Sequence, residues 1–242
     1  MTHLNNSERT QYVSQMFGRI AHRYDLLNRI MTFGMDIRLR KLSIQLLDPQ
    51  SDMLILDAGS GTGDLAAEIL RRKPDAKVIA SDLTPEMVLV GKKRFQDLPI
   101  MWVIADAQNL PFKDQGFDGL VSGYLLRNMP NIDTALNEQN RVLTSQSNCV
   151  SLDTTPPRAN ILKPFINLYM HKIIPFIGSI LTGDKDAYTY LPDSTAGFLK
   201  AEELTERFKI AGFSKVSFKR KLFGTMAIHK AEKLNGQPNS QQ

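Results

Sequence analysis

Three glycines alternate in the stretch Gly59-Ser60-Gly61-Thr62-Gly63, with Asp57 shortly before them and Asp64 directly after. Glycine admits positive φ and lets a ligand lie against the main chain with no Cβ in the way. The apolar run Leu54-Ile55-Leu56 leads into the turn, and Leu65, Ala66, Ala67, Ile69 and Leu70 follow at helical spacing, so the turn joins a strand to a helix. Open α/β sheets take their ligands at such carboxyl ends of strands. Carboxylates on both flanks make this turn a poor host for a pyrophosphate and a good one for a ligand carrying positive charge. Two more acids close apolar runs downstream: Asp82 ends Val78-Ile79-Ala80-Ser81, and Asp106 ends Met101-Trp102-Val103-Ile104-Ala105. An acid about 20 residues past a glycine turn can grip two ribose hydroxyls. A carboxylate at the end of the third run can meet an adenine amino group.

These features describe a nucleoside with a cationic centre, and the amino group and sulfonium of S-adenosylmethionine fit that description. A lone glycine turn is weak support. The turn with its strand-end acids in order is similar to the class I methyltransferase pattern. The alternative is a doubly wound domain whose acids only cap helices.

The elements that must position these residues follow the same rhythm. Strands are predicted over 53–57, 77–81, 100–105, 119–124 and 149–152, with helices over 63–72, from Thr84-Pro85-Glu86 to about Phe95, and from Asn131 or Asp133 to Leu143. Thr84 as N-cap with Pro85 at the first helical position is a clear helix start. Strands alternating with helices predict a parallel sheet. A helix over 200–210, stopped by Gly212, precedes two strands, 215–218 and 225–228, that close the sheet in antiparallel fashion. The predicted fold is therefore α/β, Rossmann-like, with a seven-stranded, mostly parallel sheet. Ahead of it, Val13, Met16, Phe17, Ile20, Tyr24, Leu27 and Ile30 fall on one helical face, broken near Tyr24-Asp25, and a second helix spans about 36–47. Residues 1–50 thus form an N-terminal helical cover over a cofactor-binding core at 51–153. Residues 154–198, punctuated by Pro156, Pro157, Pro164, Pro175 and Pro192, carry two short apolar helices that read as a lid over a hydrophobic substrate or as packing against the N-terminal helices. A closing helix and strand pair occupies 199–232, and a polar tail follows from 233 to 242.

The chain has 242 residues and a net charge of +5. Its basic residues are scattered, densest at Lys215, Lys219, Arg220 and Lys221, with no motif for nucleic acid. That surface is compatible with anionic lipid. Cys149 is the only cysteine, so no intramolecular disulfide or Cys-based metal site forms, and it reads as core. His22, His171 and His229 lack ligand-like spacing, so no metal is expected. There is no signal-peptide core and no run of 18 apolar residues, so a cytoplasmic protein is expected, with contact at the inner face of the membrane left open.

On specific segments the chain resembles the ubiquinone/menaquinone biosynthesis C-methyltransferases, from about Val13 to Lys230. The segments are Phe17-Gly18-Arg19-Ile20-Ala21-His22-Arg23-Tyr24-Asp25-Leu26-Leu27-Asn28, Leu126-Arg127-Asn128-Met129-Pro130, Arg141-Val142-Leu143, Tyr188-Thr189-Tyr190-Leu191-Pro192-Asp193-Ser194 and Gly224-Thr225-Met226-Ala227-Ile228-His229. It departs where Asp36 and Leu39 replace the family's usual His and Trp, and where Thr144-Ser145-Gln146-Ser147 replaces Lys-Pro-Gly-Gly.

The resemblance implies methyl transfer from S-adenosylmethionine to a ring carbon of a reduced polyprenyl quinone precursor. Thr62, Leu83, Ala107 and Gly123 (or Ser122, the register being open) then join Asp57, Gly59, Gly61, Gly63, Asp82 and Asp106 as cofactor-binding positions. Arg127 is the candidate cation for an ionising phenol or else a structural salt bridge. Tyr24 orients the ring or packs between helices. Asn128 and Asp153 are substrate candidates, Asp153 alternatively capping the lid. The expected partner is a lipophilic quinol or phenol, with a homodimer left open. Two other readings stand beside this one: methylation of another apolar phenol or polyketide, and a catalytically weakened scaffold of a quinone-synthesis complex.

Overall fold

The computed structural model of the chain describes residues 6–156, 169, 194 and 197–234. The two apolar helices expected within 154–198 and the tail from 235 onward lie outside the described residues.

Seven strands form one sheet: β1 (Leu54–Ala58), β2 (Lys77–Asp82), β3 (Ile100–Ile104), β4 (Phe117–Gly123), β5 (Leu143–Thr154), β6 (Phe213–Lys221) and β7 (Met226–Lys233). Their spatial order is β3-β2-β1-β4-β5-β7-β6. The first five pair in parallel, and β7 runs antiparallel to both β5 and β6. The order reverses between β1 and β4, so a crevice opens at their carboxyl ends, where a doubly wound sheet admits ligands.

Seven described helices accompany the sheet. They are α1 (Asn6–Ile20), α2 (Tyr24–Met31), α3 (Met35–Leu47), α4 (Asp64–Arg72), α5 (Pro85–Arg94), α6 (Ile132–Val142) and α7 (Ala201–Ile210). A single 3-10 turn, Ala21–Arg23, makes the break between α1 and α2. Thr84 is the N-cap of α5 and Pro85 its first residue, as the sequence predicts. Asn131 caps α6, its side chain accepting a bond from the Thr134 amide.

Alternation along β1 supplies both faces of the sheet. Leu56 and Ala58 join Leu120, Leu136, Cys149 and Phe208 in one buried cluster, which α6 and α7 cover. Ile55 joins Val78, Val121 and Val150 in the other, covered by Leu39, Ile44 and Leu47 of α3 and Leu65 and Ile69 of α4. A third cluster, Val13, Met16, Ile20 and Leu27, comes from α1 and α2, and Tyr169 packs against it. Strand β5 begins six residues earlier than the apolar run beginning at Cys149 predicts. Thr144 and Ser147 bond one another there, and Thr144 also bonds the Phe117 carbonyl, so polar side chains sit on a paired strand that their composition disguises as a loop.

Candidate functional site

The turn after β1 takes positive φ at Gly59 (66°), Gly61 (54°) and Gly63 (86°). The turn is pinned to β2. The Ser60 amide bonds the Ser81 carbonyl at 2.9 Å, and the Gly61 amide bonds Asp82 Oδ2 at 2.8 Å. Asp82 Oδ1 accepts the Thr84 amide at 2.8 Å, so the same carboxylate also starts α5. Burial raises the Asp82 pKa. A Cβ on Gly61 would have Tyr24 Cε1 as its nearest neighbour at 4.0 Å, so the missing side chain leaves open space.

That space is a pocket of about 710 Å³, its open mouth included. Its walls come from four strand ends: Gly59 and Gly61 after β1; Asp82, Leu83 and Thr84 at β2; Ala105, Asp106 and Ala107 after β3; Gly123, Tyr124 and Leu125 at β4. Asn128, Met129 and Pro130 extend the last wall, and Thr10, Val13, Ser14 and Phe17 of α1 with Tyr24 of α2 roof it. The structure thus brings Tyr24, Gly59, Gly61, Asp82, Leu83, Asp106, Ala107, Gly123 and Asn128 together on one wall system.

Five of the sequence-predicted residues stand behind that surface. Asp57 is fully buried and its Oδ2 accepts the Ala66 amide of α4 at 2.9 Å. Its other oxygen has no partner, and burial lifts its pKa to about 7. Thr62 donates to both Asp25 oxygens, at 2.8 and 2.9 Å. Gly63 faces Trp102, whose Cη2 would stand 2.4 Å from an added Cβ. Arg127 and Asp153 are 7% and 1% exposed, with Arg127 Nη1 3.7 Å from Asp153 Oδ1. Asp153 also accepts the Arg127 amide at 3.2 Å and the Thr154 amide at 2.8 Å, while burial raises its pKa. Asn128 lines the pocket, yet its Nδ2 donates to the Tyr124 carbonyl at 2.7 Å.

An ionic chain ties the roof to the turn. Asp25 of α2 pairs with Arg94 at the end of α5; Arg94 reaches Asp64 at 2.7 Å; Arg40 of α3 reaches Asp64 at 3.4 Å and pairs closely with Asp36. The Thr32 hydroxyl completes it, donating to Asp36 at 3.1 Å. Asp36, one of the departures from the family pattern, is fully buried and neutralises Arg40 one helical turn on. Burial, with Asp64 adding its negative charge, raises the Asp25 pKa.

One residue of this site carries no sequence signal. Tyr124, directly after β4, has φ of +59° and is 7% exposed. Two guanidiniums approach its ring, with Arg40 Cζ 5.7 Å and Arg127 Cζ 5.1 Å from the ring centroid. The Asp36–Arg40 spacing on a predicted helix could have indicated an i,i+4 pair; nothing in the sequence announced that Arg40 would face a tyrosine from another element.

A profile of the ubiE/COQ5 methyltransferase family matches residues 3–233. A ubiquinone/menaquinone biosynthesis C-methyltransferase UbiE of Desulfotalea psychrophila is 42% identical over 217 residues, covering 90% of this chain and 88% of that one. A demethylmenaquinone methyltransferase of Thermus thermophilus is 37% identical over 216 residues, covering 88% of this chain and 98% of the relative. Among solved structures, the [4+2]-cyclase SpnF aligns with a TM-score of 0.69 at 17% identity, over 94% of this chain and 97% of SpnF. A SAM-dependent methyltransferase from Thermotoga maritima aligns with a TM-score of 0.63 at 18% identity, over 90% of this chain and 98% of its own length. These last two likenesses bear on the fold, and both agree with the Rossmann-like sheet. With a match that runs across almost the whole sequence, the chain belongs to the ubiE/COQ5 methyltransferase family.

Proposed function

We propose that the protein transfers a methyl group from S-adenosylmethionine to a ring carbon of a reduced polyprenyl quinone precursor, of the demethylmenaquinol or ubiquinone type. The observation that carries the reading is that one pocket is lined by both kinds of side chain. Asp82 and Asp106 line it with the glycine turn, and so do Tyr24 and Tyr124, with Arg40 and Arg127 near the Tyr124 ring. The acids suit a cationic nucleoside and the aromatic rings a phenol.

The residues present fit the donor. Asp82 already accepts one backbone N–H on each oxygen. Each carboxylate oxygen keeps a further lone pair for a ribose hydroxyl. Gly61 contributes an open stretch of backbone against which a flat ligand can lie. Bound there, S-adenosylmethionine supplies an activated methyl on a sulfonium. What remains for the protein is alignment, exclusion of water and stabilisation of charge on the acceptor. The acceptor carbon becomes nucleophilic as the neighbouring hydroxyl releases its proton to water. With the donor bound, that carbon would take the methyl, the carbon–sulfur electron pair leaving with sulfur, and the ring proton would then pass to water. Ionising a phenol of pKa about 10 at pH 7 costs about 4 kcal/mol. The Arg40 and Arg127 guanidiniums near the Tyr124 ring, each already paired with a carboxylate, offset part of it. Tyr24 and Asn128 line the same pocket for the acceptor, and apolar Val13, Phe17 and Leu125 keep water out. Contact with a membrane surface, which would deliver an oily acceptor, belongs to this reading as well.

Calorimetric titration with S-adenosylmethionine, paired with mass-spectrometric assay of demethylmenaquinol methylation, tests it. We expect binding in the wild type and a roughly 10- to 100-fold loss of affinity in Asp82→Ala, the worth of a charge-assisted hydrogen bond. Methylation of other apolar phenols in preference to the quinol would move the acceptor assignment; absence of donor binding would leave the scaffold reading.

A further inference from the structure

Four large apolar side chains stand in solvent at the end of the sheet where the pocket lies. Leu26 of α2, Phe33 in the turn after it and Ile37 of α3 are three of them; Phe223, at the tip between β6 and β7, is the fourth. Phe33 and Phe223 are the most open of these, at 78% and 70%. The first three follow one another around a tight corner, in which the Phe33 amide bonds the Ile30 carbonyl and the Gly34 amide bonds the Arg29 carbonyl. Tyr169, the one described residue between 157 and 193, reaches the same corner. Its hydroxyl donates to the Met31 carbonyl at 3.0 Å and its ring stacks on Phe33, which still stays open. Exposed apolar surface of this extent marks a contact with a partner or a membrane.

Cations accompany it. Arg29 of α2 and Arg38 and Lys41 of α3 are exposed. Strand register brings two more to the same side of the sheet, Lys219 standing opposite Ile228 and Lys221 opposite Met226. Directly opposed residues share a face. Ile228 belongs to the cluster that α3 covers, and Met226 packs against it, so Lys219 and Lys221 lie on the α3 side. Strand β6 runs in the direction of β1 to β5, which puts Lys221 and the Phe223 tip at the carboxyl ends of the strands. The start of α3 lies at that end too, because Arg40 reaches Asp64 beside the glycine turn. Nearby carboxylates are engaged elsewhere: Asp36 with Arg40, Glu232 with Lys215 and Glu202 with Arg220. Among the described residues, none of the five cations has an ion-pair partner.

We infer that this face, the α2–α3 corner together with the β6–β7 tip, rests on a bilayer that carries anionic headgroups. Its apolar side chains enter the headgroup layer and its cations meet the lipid charge. Charge decides between occupants. A second copy of the chain would set five cations against five, whereas an anionic bilayer answers the apolar and the basic residues at once. The inference deepens the membrane contact within the methyl-transfer reading, and it rests on that reading for its purpose: delivery of an oily acceptor to the end of the sheet that holds the pocket.

The test is flotation of the full chain with vesicles of phosphatidylcholine, alone or mixed with phosphatidylglycerol. The wild type should float with the mixed vesicles only, and salt at about 0.5 M should release it by screening. Lys219→Glu with Lys221→Glu should weaken binding at least about 25-fold, since each cation near an anionic surface is worth about fivefold. Arg72→Glu with Lys77→Glu changes net charge equally at the end of α4 and the start of β2, the opposite end of the sheet, and should bind nearly as the wild type. Phe33→Ser with Phe223→Ser should weaken binding at unchanged net charge. In Phe223→Trp, the indole emission should shift to the blue on mixed vesicles and be quenched by brominated acyl chains, which contact by charge alone would not produce. Melting temperature and S-adenosylmethionine affinity should keep their wild-type values throughout. No flotation of the wild type, flotation indifferent to lipid charge, or equal losses in the two charge-reversed pairs overturns the inference. So does a wild-type dimer in sedimentation that Phe33→Ser dissolves, since the face would then belong to a second copy. A wild type that floats as expected but binds no S-adenosylmethionine supports the docking face and strikes the methyl-transfer reading instead.

Discussion

Arg127 and Asp153 hold their charges 3.7 Å apart with almost no contact with solvent. Removing one partner of such a pair strands the other, at about 3–5 kcal/mol. Arg127→Ala should therefore lower stability by about that amount before any effect on turnover is read, and adding Asp153→Ala should recover much of it; denaturant melts of the four proteins of the cycle give the coupling. Two other buried groups set opposite pH slopes. His229 stacks on Phe208 and donates from Nε2 to the Ala201 carbonyl, and burial lowers its pKa to about 4. Between about pH 4 and the ordinary histidine value near 6.5 the unfolded chain then holds more protons, so this residue makes stability rise with pH. Asp57, with its pKa raised to about 7, holds its proton in the folded state where the unfolded chain has lost it, so it makes stability fall from about pH 4 to 7. Melts across pH 4–7 should show a flatter rise in His229→Gln and a steeper one in Asp57→Asn.

At the scale of elements, Trp102 of β3 acts as a wedge. Its Cη2 would meet an added Cβ at 2.4 Å on Gly63, before α4, and at 2.2 Å on Gly91, inside α5. A glycine inside a helix ordinarily costs about 1 kcal/mol against alanine; here it makes room for the indole. We expect Gly91→Ala to destabilise by about 1–3 kcal/mol, as overpacking does, and to become neutral or stabilising when combined with Trp102→Leu. Thermal melts of the single and double variants decide it. This wedge was hidden in the sequence, since the residues that share it come from three separate segments. What was legible was local: the glycine turn, the Thr84-Pro85 start, and apolar runs ending in Asp82 and Asp106. The early start of β5 was not, because sheet pairing overrode a polar composition. Nor could spacing reveal that Asp57, Arg127 and Asp153 would lie behind the pocket wall. Depth depends on which neighbours fold over a residue, and Tyr124, held in a strained conformation by Leu152 and Asn128, illustrates the same limit.

Across the whole molecule, the sheet and its helices make two apolar clusters, while α1 and α2 supply the buried residues of a third. The roof is joined to the turn chiefly by polar links, with Asp25 meeting Thr62 and Arg94, and Arg94 meeting Asp64. Cutting them should loosen the roof more than it unfolds the protein. Arg94→Ala should shift the melt by no more than about 1–2 kcal/mol, within the usual range for single substitutions. It should speed S-adenosylmethionine release about tenfold, measured by stopped-flow competition.

The roof precedes in the chain the β4 wall that it covers. A ribosome delivers α1 and α2 before β4 exists, so their apolar faces emerge with no wall to settle on. Until translation has passed Gly123, this helix pair is exposed oily surface. We expect the nascent chain to call on holdase protection in that interval, and to relinquish it once the crevice closes.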